Sequence, residues 1–339
     1  MIPITRARRV LAVLAVPALL VTAACGSEDS GSESTEEPAG PVATVEGESG
    51  QPPEITVEKG AEVGSESVVE VLSEGDGAEV KDGDFLRVDV VGRIMDADME
   101  LLNTWNSTAQ GTEEEAEEDA DAPRTQFVVQ VGAASAMPEA ATAPLVGAKV
   151  GSRVQVEGRV EEMLGPAAEQ AGVAADDGVV WVFDIAGASS TDPMAQVEGE
   201  QAAVEEGLPE VEAPAAEAAT VTIPEGEDPP AELQEQVLIE GDGPEVTAGQ
   251  GLIAQYTGIV WESGEKFDSS WDRQAASGFQ IGTGSVVEGW DQGLVGKNVG
   301  DRVLLVIPPE LGYGDQEAGN GTIPANSTLV FVVDIVGVV

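Results

Sequence analysis

Apolar positions along the chain gather into two blocks, each broken into short runs. The first block, about 67–188, holds Val68-Val69, Phe85-Leu86-Arg87-Val88-Asp89-Val90-Val91, Phe127-Val128-Val129 and Val179 to Ile185. The second, about 233–339, holds Leu252 to Val260, Val303 to Ile307 and Leu329 to Val338. Runs of this length, rich in β-branched residues and partly alternating, predict strands. The last two are continuous Val, Leu and Ile, the pattern of strands buried on both faces. One short helix is predicted near Val286 to Leu294, with Gly296 as its stop. Pro308-Pro309 cannot donate to a ladder, so the strand before them ends there. Gly26 to Gly60 and Ser189 to Pro230 are rich in Ser, Glu, Ala, Gly and Pro and nearly free of aromatics. They predict a disordered tether over 25–62 and a disordered linker over 191–230, because such segments bury too little to offset their ordering entropy. The folded segments are then 63–190 and 231–339. Whether they touch is left open.

The two blocks repeat one another. Leu145-Val146-Gly147-Ala148-Lys149-Val150-Gly151-Ser152-Arg153-Val154 matches Leu294-Val295-Gly296-Lys297-Asn298-Val299-Gly300-Asp301-Arg302-Val303 at an offset of 149 residues. Trp181-Val182-Phe183-Asp184-Ile185 matches Phe331-Val332-Val333-Asp334-Ile335 at an offset of 150. Val69 to Gly77 is similar to Val237 to Gly243. The first block also carries an acidic insertion, Glu113 to Asp121, where a hairpin loop would lie. Residues 63–190 therefore read as a diverged copy of the fold of 231–339. The acidic insertion reads as a solvated charge run rather than a metal site.

The front of the chain adds a destination. Arg6, Arg8 and Arg9 precede an apolar run from Val10 to Ala24 that ends Thr22-Ala23-Ala24-Cys25. This is the pattern of a signal peptide over 1–24, shorter than the ~20 apolar residues of a spanning helix. Its end is similar to a bacterial lipobox, in which Cys25 would be lipidated; Thr22 stands where Leu is usual. The expectation is an extracytoplasmic chain held to the cell membrane by acyl chains, each buried CH₂ contributing ~0.8 kcal/mol. Cys25 is the only cysteine, so no intrachain disulfide can form. Fifteen Lys and Arg against 63 Asp and Glu leave a net charge of −48. Such a surface repels nucleic acid. With no histidine and one cysteine, histidine acid–base chemistry, thiolate catalysis and zinc sites are excluded as readings, and no cofactor or metal is expected.

Five segments of the second block fall in a recognisable order: Ala254-Gln255-Tyr256-Thr257-Gly258, Gly264-Glu265-Lys266-Phe267-Asp268-Ser269-Ser270, Val286-Val287-Glu288-Gly289-Trp290, Leu311-Gly312-Tyr313-Gly314 and Thr328-Leu329-Val330-Phe331. Together they resemble the FK506-binding protein (FKBP) family of peptidyl-prolyl cis-trans isomerases. The resemblance covers about Leu233 to Val339. It implies an α+β fold in each copy, a curved antiparallel sheet wrapped around a short helix. It implies isomerisation of Xaa–Pro bonds, here in exported polypeptides, by a monomer that also binds FK506-like macrolides. It places Trp290 at the pocket floor, with much of its ring open. It puts Phe267, Val286, Val287 and Phe331 on the walls with Tyr256, and Ile323 on a covering loop. It implies that Tyr313 directs its hydroxyl to the bound peptide, that Asp268 accepts from the Tyr256 hydroxyl, and that the Val287 N–H donates to a substrate carbonyl. Ser277 stands where an aromatic is usual, with Phe279 close enough to fill the space.

In the first copy, Val90 stands opposite Tyr256, Trp105-Asn106 opposite Phe267-Asp268, Ala141 opposite Trp290 and Leu164 opposite Tyr313. That copy is expected to be non-catalytic. The competing reading of the whole chain is a non-catalytic, surface-anchored peptide-binding or chaperone lipoprotein.

Overall fold

The structure, a computed structural model, describes residues 40–57, 63–97, 99–106, 124–133, 137–165 and 173–339. The signal segment, Cys25 and the acidic insertion lie outside them. The architecture is α+β, two main antiparallel sheets, each accompanied by short helical segments.

The strands run in chain order as follows. A hairpin of β1 (Ala43–Glu46) and β2 (Glu54–Val57) precedes β3 (Val68–Ser73), β4 (Phe85–Ile94), β5 (Met99–Asn103) and β6 (Phe127–Gln130). Helix α1 (Glu139–Thr142), β7 (Arg153–Arg159), helix α2 (Val160–Met163) and β8 (Gly178–Ser189) complete the first body. A second hairpin, β9 (Glu210–Glu212) and β10 (Thr220–Thr222), precedes β11 (Gln234–Ile239), β12 (Gly251–Val260), β13 (Lys266–Ser269) and β14 (Ser277–Gln280). Helix α3 (Glu288–Leu294), β15 (Arg302–Ile307) and β16 (Leu329–Val338) follow.

The sheets have the same order. The first is β3-β7-β8-β4-β5 with β6 paired to β4; the second is β11-β15-β16-β12-β13 with β14 paired to β12. Strand by strand the copies are offset by 166 residues at β4 and β12, where Phe85 faces Gln130 as Gly251 faces Gln280. The same pairs give an offset of 150 at β6 and β14. The first copy is thus 16 residues longer between β5 and β6, the stretch that contains Glu113 to Asp121.

Alternation along the buried runs explains both layers of the core. On β15 and β16, Val303, Leu305, Ile307, Leu329, Phe331, Val333 and Ile335 face inward onto Leu294 and Trp290 of α3. Their neighbours Leu304, Val306, Val330 and Val332 face outward. An outward apolar face needs a cover. In the second body it is the β9–β10 hairpin with Val211, Val221, Leu208 and Ile223. In the first, Val180, Val182 and Val91 are covered by Ala43, Val45, Ile55 and Val57 of β1–β2.

These hairpins correct the expectation of disorder over the described part of 25–62 and over 191–230. Low hydropathy misled the reading because a few apolar residues suffice when they cap a ready-made face. Buried charges hold the β1–β2 hairpin and the segment that leads to β9–β10 against their sheets. Glu157, fully buried, accepts from Val42 N and Ala43 N at 2.7 and 2.8 Å. Arg153 forms a forked pair with Asp184 at 2.6 and 2.8 Å and donates to the Gly47 and Gln51 carbonyls of the β1–β2 turn. Arg302 and Asp334 repeat that fork at 2.6 and 2.7 Å, with Val197 N on Asp334. A buried fork of this kind fixes position more than it adds stability.

The two bodies touch. Val128 of β6 fills a hole over Gly251 and Gly278, where added Cβ atoms would lie 2.7 and 2.3 Å from its methyls. Phe85, Ile253, Ala276, Val336 and Val339 complete this apolar contact. Gln280 straddles it, accepting from Gln126 N at 2.6 Å and donating to the Arg124 carbonyl at 2.8 Å.

Candidate active site

The inner face of the second sheet opens beside the N-terminal end of α3 into a cavity of ≈ 250 Å³. Four strands and one helix supply its aromatic lining. Tyr256 comes from β12, Phe267 from β13, Phe279 from β14, Phe331 from β16 and Trp290 from α3. The rings meet edge to face. Trp290 lies 5.6 Å from Tyr256, 5.1 Å from Phe279 and 5.2 Å from Phe331, and Phe267 lies 5.5 Å from Phe331. Such packing favours edge-on rings because the ring edge is positive and the face negative. Phe279 thus occupies the wall that Ser277 leaves vacant.

Helix α3 is positioned by its own acid. Asp291 accepts from Gly282 N at 2.6 Å and Gly284 N at 2.8 Å, tying down the loop that carries Val286 and Val287. Both valines, with Ser285, line the cavity. Helix α3 ends before Gly296, whose φ of +85° suits a residue without a Cβ.

Trp290 departs from expectation. Only 4 % of it is exposed, because three rings crowd it, so it is a core residue that also borders the cavity. Its Nε1 is buried with no partner among the described residues, so shape alone sets the ring's position. Ile323 departs further. It is buried in the core, exchanges backbone hydrogen bonds with Ala318, and does not line the cavity.

The polar edge of the cavity is a three-residue network. The Tyr256 hydroxyl donates to Asp268 Oδ2. Arg273 donates from one nitrogen to Asp268 Oδ1 at 2.5 Å and from the other to the Tyr256 oxygen at 2.7 Å. Burial pushes the Tyr256 phenol far above its ordinary range, and its bond to Asp268 adds to this. Burial also pushes Asp268 up, but the Tyr256 and Arg273 hydrogen bonds and the guanidinium charge outweigh it, holding the carboxyl below its ordinary value.

Arg273 was not anticipated. It sits at the end of a short 3-10 turn, Ser270–Arg273, that Ser269 caps by accepting from Trp271 N. Its spacing five residues after Asp268, in a chain with few cations, was the available signal.

Tyr313 stands on the open side, 42 % exposed, with no hydrogen-bond partner for its hydroxyl among the described residues. Partial burial and the Asp268 charge raise its pKa. The N–H of Val287, which lines the same cavity, likewise finds no acceptor among the described residues. Two unengaged donors therefore flank an apolar hollow.

Comparison with known proteins falls on this same body. The family model of the FKBP-type peptidyl-prolyl cis-trans isomerases matches residues 243–336. An FK506-binding protein of Streptomyces anulatus is 48% identical over 91 residues, 27% of this chain and 73% of that protein. The chain belongs to the FKBP family. It therefore carries a peptidyl-prolyl cis-trans isomerase domain of that type. FK506-binding protein 2 of Dictyostelium discoideum is 50% identical over 91 residues, 27% of this chain and 67% of that protein. FK506-binding protein 2B of Rhizopus delemar is 52% identical over 88 residues, 26% of this chain and 42% of that protein. A crystal structure of AtFKBP13 aligns with 39% sequence identity over 32% of this chain and 94% of that one, at a TM-score of 0.30.

In the first FKBP-like body the equivalent hollow is filled. Trp181 takes the place of Phe331, opposite Gly92 as Phe331 is opposite Gly258. Its indole, 4 % exposed, lies over Gly92, where a Cβ would come within 2.1 Å of it. Ala141 and Val90 stand at the Trp290 and Tyr256 positions, both buried. Trp105 does not replace Phe267. It corresponds to Trp271, since Thr104 bonds Val90 N as Ser270 bonds Tyr256 N. Leu101 and Leu102 stand opposite Phe267 and Asp268, with Leu102 facing Gly92 across the ladder.

Proposed function

We propose that the second body isomerises Xaa–Pro bonds of exported polypeptides by binding the twisted amide in the aromatic hollow. Amide resonance sets a barrier of ~18–20 kcal/mol, and no covalent bond need break to cross it. A site lowers the barrier by binding the twisted form better than either planar one. The twisted amide has lost charge separation, so it favours an apolar, dry environment. Phe267, Phe279, Phe331 and Trp290 supply one. Tyr313 and the Val287 N–H would hold the peptide's carbonyls, and the Tyr256–Asp268–Arg273 network would keep the rim rigid and ready. About 5 kcal/mol of such preference gives an acceleration of several thousandfold. The single supporting observation is that two residues whose donors are unengaged among the described residues, Tyr313 and Val287, line a hollow walled mainly by aromatic and aliphatic side chains.

The test is relaxation of a cis-enriched proline peptide by the full chain, with an FK506-like macrolide as competitor. Acceleration that the macrolide abolishes supports the reading, which also assigns such macrolides to this hollow. No acceleration above the spontaneous rate refutes it. We further propose that the chain works as a monomer outside the cytoplasm, held to the membrane by a lipidated Cys25. Incorporation of a fatty-acid analogue by the wild type but not by Cys25→Ala tests the anchor, and equal labelling of both removes it.

A further inference from the structure

The two bodies leave a second cleft, of ≈ 470 Å³, on the far side of the Tyr256 and Phe279 rings. Its size lies within the ~300–1,000 Å³ of ligand clefts. The second body contributes Tyr256, Phe279, Arg273 and Ser277; the first contributes Phe85, Val128, Gln130 and Ala133. Tyr256 and Phe279 also line the aromatic cavity, so the two hollows meet at these rings. We infer that this cleft is a subsite for the stretch of polypeptide flanking the bound proline, and that the first body acts by building one wall of it.

Three features commit the cleft to that occupant. It adjoins the aromatic cavity, sharing the Tyr256 and Phe279 rings as a common wall, so polypeptide that flanks a proline bound in that cavity lies within reach of it. Its lining is neutral: Phe85, Val128 and Ala133 are apolar, Gln130 and Ser277 are uncharged, and the one cation, Arg273, is paired with Asp268. An uncharged, extended peptide matches such walls. Finally, the base is a fixed contact. Val128 seated over Gly251 and Gly278, and Gln280 bonded to the Arg124 and Gln126 backbone, hold the walls at a set distance. This accounts for a body that has lost its own hollow yet retains its fold.

The inference rests on the isomerase reading, and its test separates the two. In the full chain, half-buried Ala133 on the first-body wall is replaced by Trp, which fills the cleft from the side away from the aromatic cavity. kcat/KM is measured on a proline tetrapeptide and on an extended peptide with the same central sequence. The long-to-short ratio should fall about fivefold, equivalent to about 1 kcal/mol of lost flanking contact. The fall should appear in KM. Ala133→Leu, a smaller filler, should give an intermediate ratio, and near-UV circular dichroism verifies that both variants are folded. An unchanged ratio in folded Ala133→Trp, with the wild type active, overturns the subsite alone. A wild type that turns over neither peptide overturns the isomerase reading and the subsite with it.

Discussion

Two equivalent glycines, one in each body, offer a paired test of the difference between a filled hollow and an open one. Gly258 and Gly92 occupy the same strand position, and neither has a positive φ, so alanine fits both backbones. At Gly258 the new Cβ would lie 2.6 Å from Phe267 Cζ and 2.9 Å from Phe331 Cε1. At Gly92 it would lie 2.1 Å from Trp181 Cζ3 and 2.5 Å from Cε3. Overpacking of a core costs typically ~1–3 kcal/mol, while removing a strand glycine returns roughly 0.5–1. Phe267 and Phe331 border the ≈ 250 Å³ cavity and can swing into it. Gly258→Ala should therefore be near neutral in stability. The displaced rings shrink the cavity, so kcat/KM should fall about tenfold, equivalent to ~1.4 kcal/mol. Trp181 has no space to enter, so Gly92→Ala should destabilise the first body by about 2 kcal/mol. Activity on a tetrapeptide should not change. Urea unfolding followed by circular dichroism, with peptide isomerisation alongside, reads both effects. If Gly258→Ala destabilises as much as Gly92→Ala and retains full kcat/KM, the rings do not border usable space and the argument fails.

Other outcomes follow from the polar rim. Asp268→Asn removes the charge that Arg273 and Tyr256 share; hydrogen bonds to charged groups contribute ~1.5–3 kcal/mol, so kcat/KM should fall at least about tenfold. Arg273→Leu should fall in the same range, and wild-type kinetics from either would remove the network from the site. Tyr313→Phe should lose ~0.5–1.5 kcal/mol of transition-state binding with no change in unfolding midpoint, since its hydroxyl has no internal partner to lose. Trp290→Leu would open a gap among three rings and should cost about 2 kcal/mol of stability, measurable as an earlier urea midpoint. The pH profile should be flat. Asp268 titrates below its ordinary value, so its ionised contribution is present above the unfolded carboxyl pKa and lost only as pH falls through the lower folded value. Tyr256 and Tyr313 titrate above theirs and stay protonated. With no histidine, kcat/KM should hold constant from about pH 5 to about pH 9. A limb near neutrality would show that another group controls turnover.

Much of the site was legible because aromatic residues are scarce in this chain. Its two tyrosines both fall in the second copy, beside Phe267, Trp290 and Phe331 in the order of the family's motifs. Phe279 could be named as a replacement for the absent aromatic because it lies two residues from Ser277 on the same strand face. Arg273 could not, since its place over the Tyr256 ring depends on the short 3-10 turn Ser270–Arg273 that carries it. Ile323 was misplaced for a related reason: a loop residue's direction is set by its closing hydrogen bonds, here with Ala318, and not by spacing.

The chain's own pattern of apolar residues determined two strand-rich bodies, their likeness as repeats, and which copy retains the aromatic site residues. These depend on local periodicity and on residue identity at matched positions, and both can be read along a line. What covers the outer faces was present only as a contradiction. Val303-Leu304-Leu305-Val306-Ile307 is apolar on both sides, yet its neighbours in sequence looked too polar to form a second layer. Tertiary structure resolved it by bringing β9–β10 and β1–β2 across the sheets, where a few residues such as Val211 and Ile55 suffice because the partner face is already formed. The seating of Val128 between Gly251 and Gly278 was likewise decided only in three dimensions. A knob and its hole lie more than a hundred residues apart, and neither has a signature until the other is beside it.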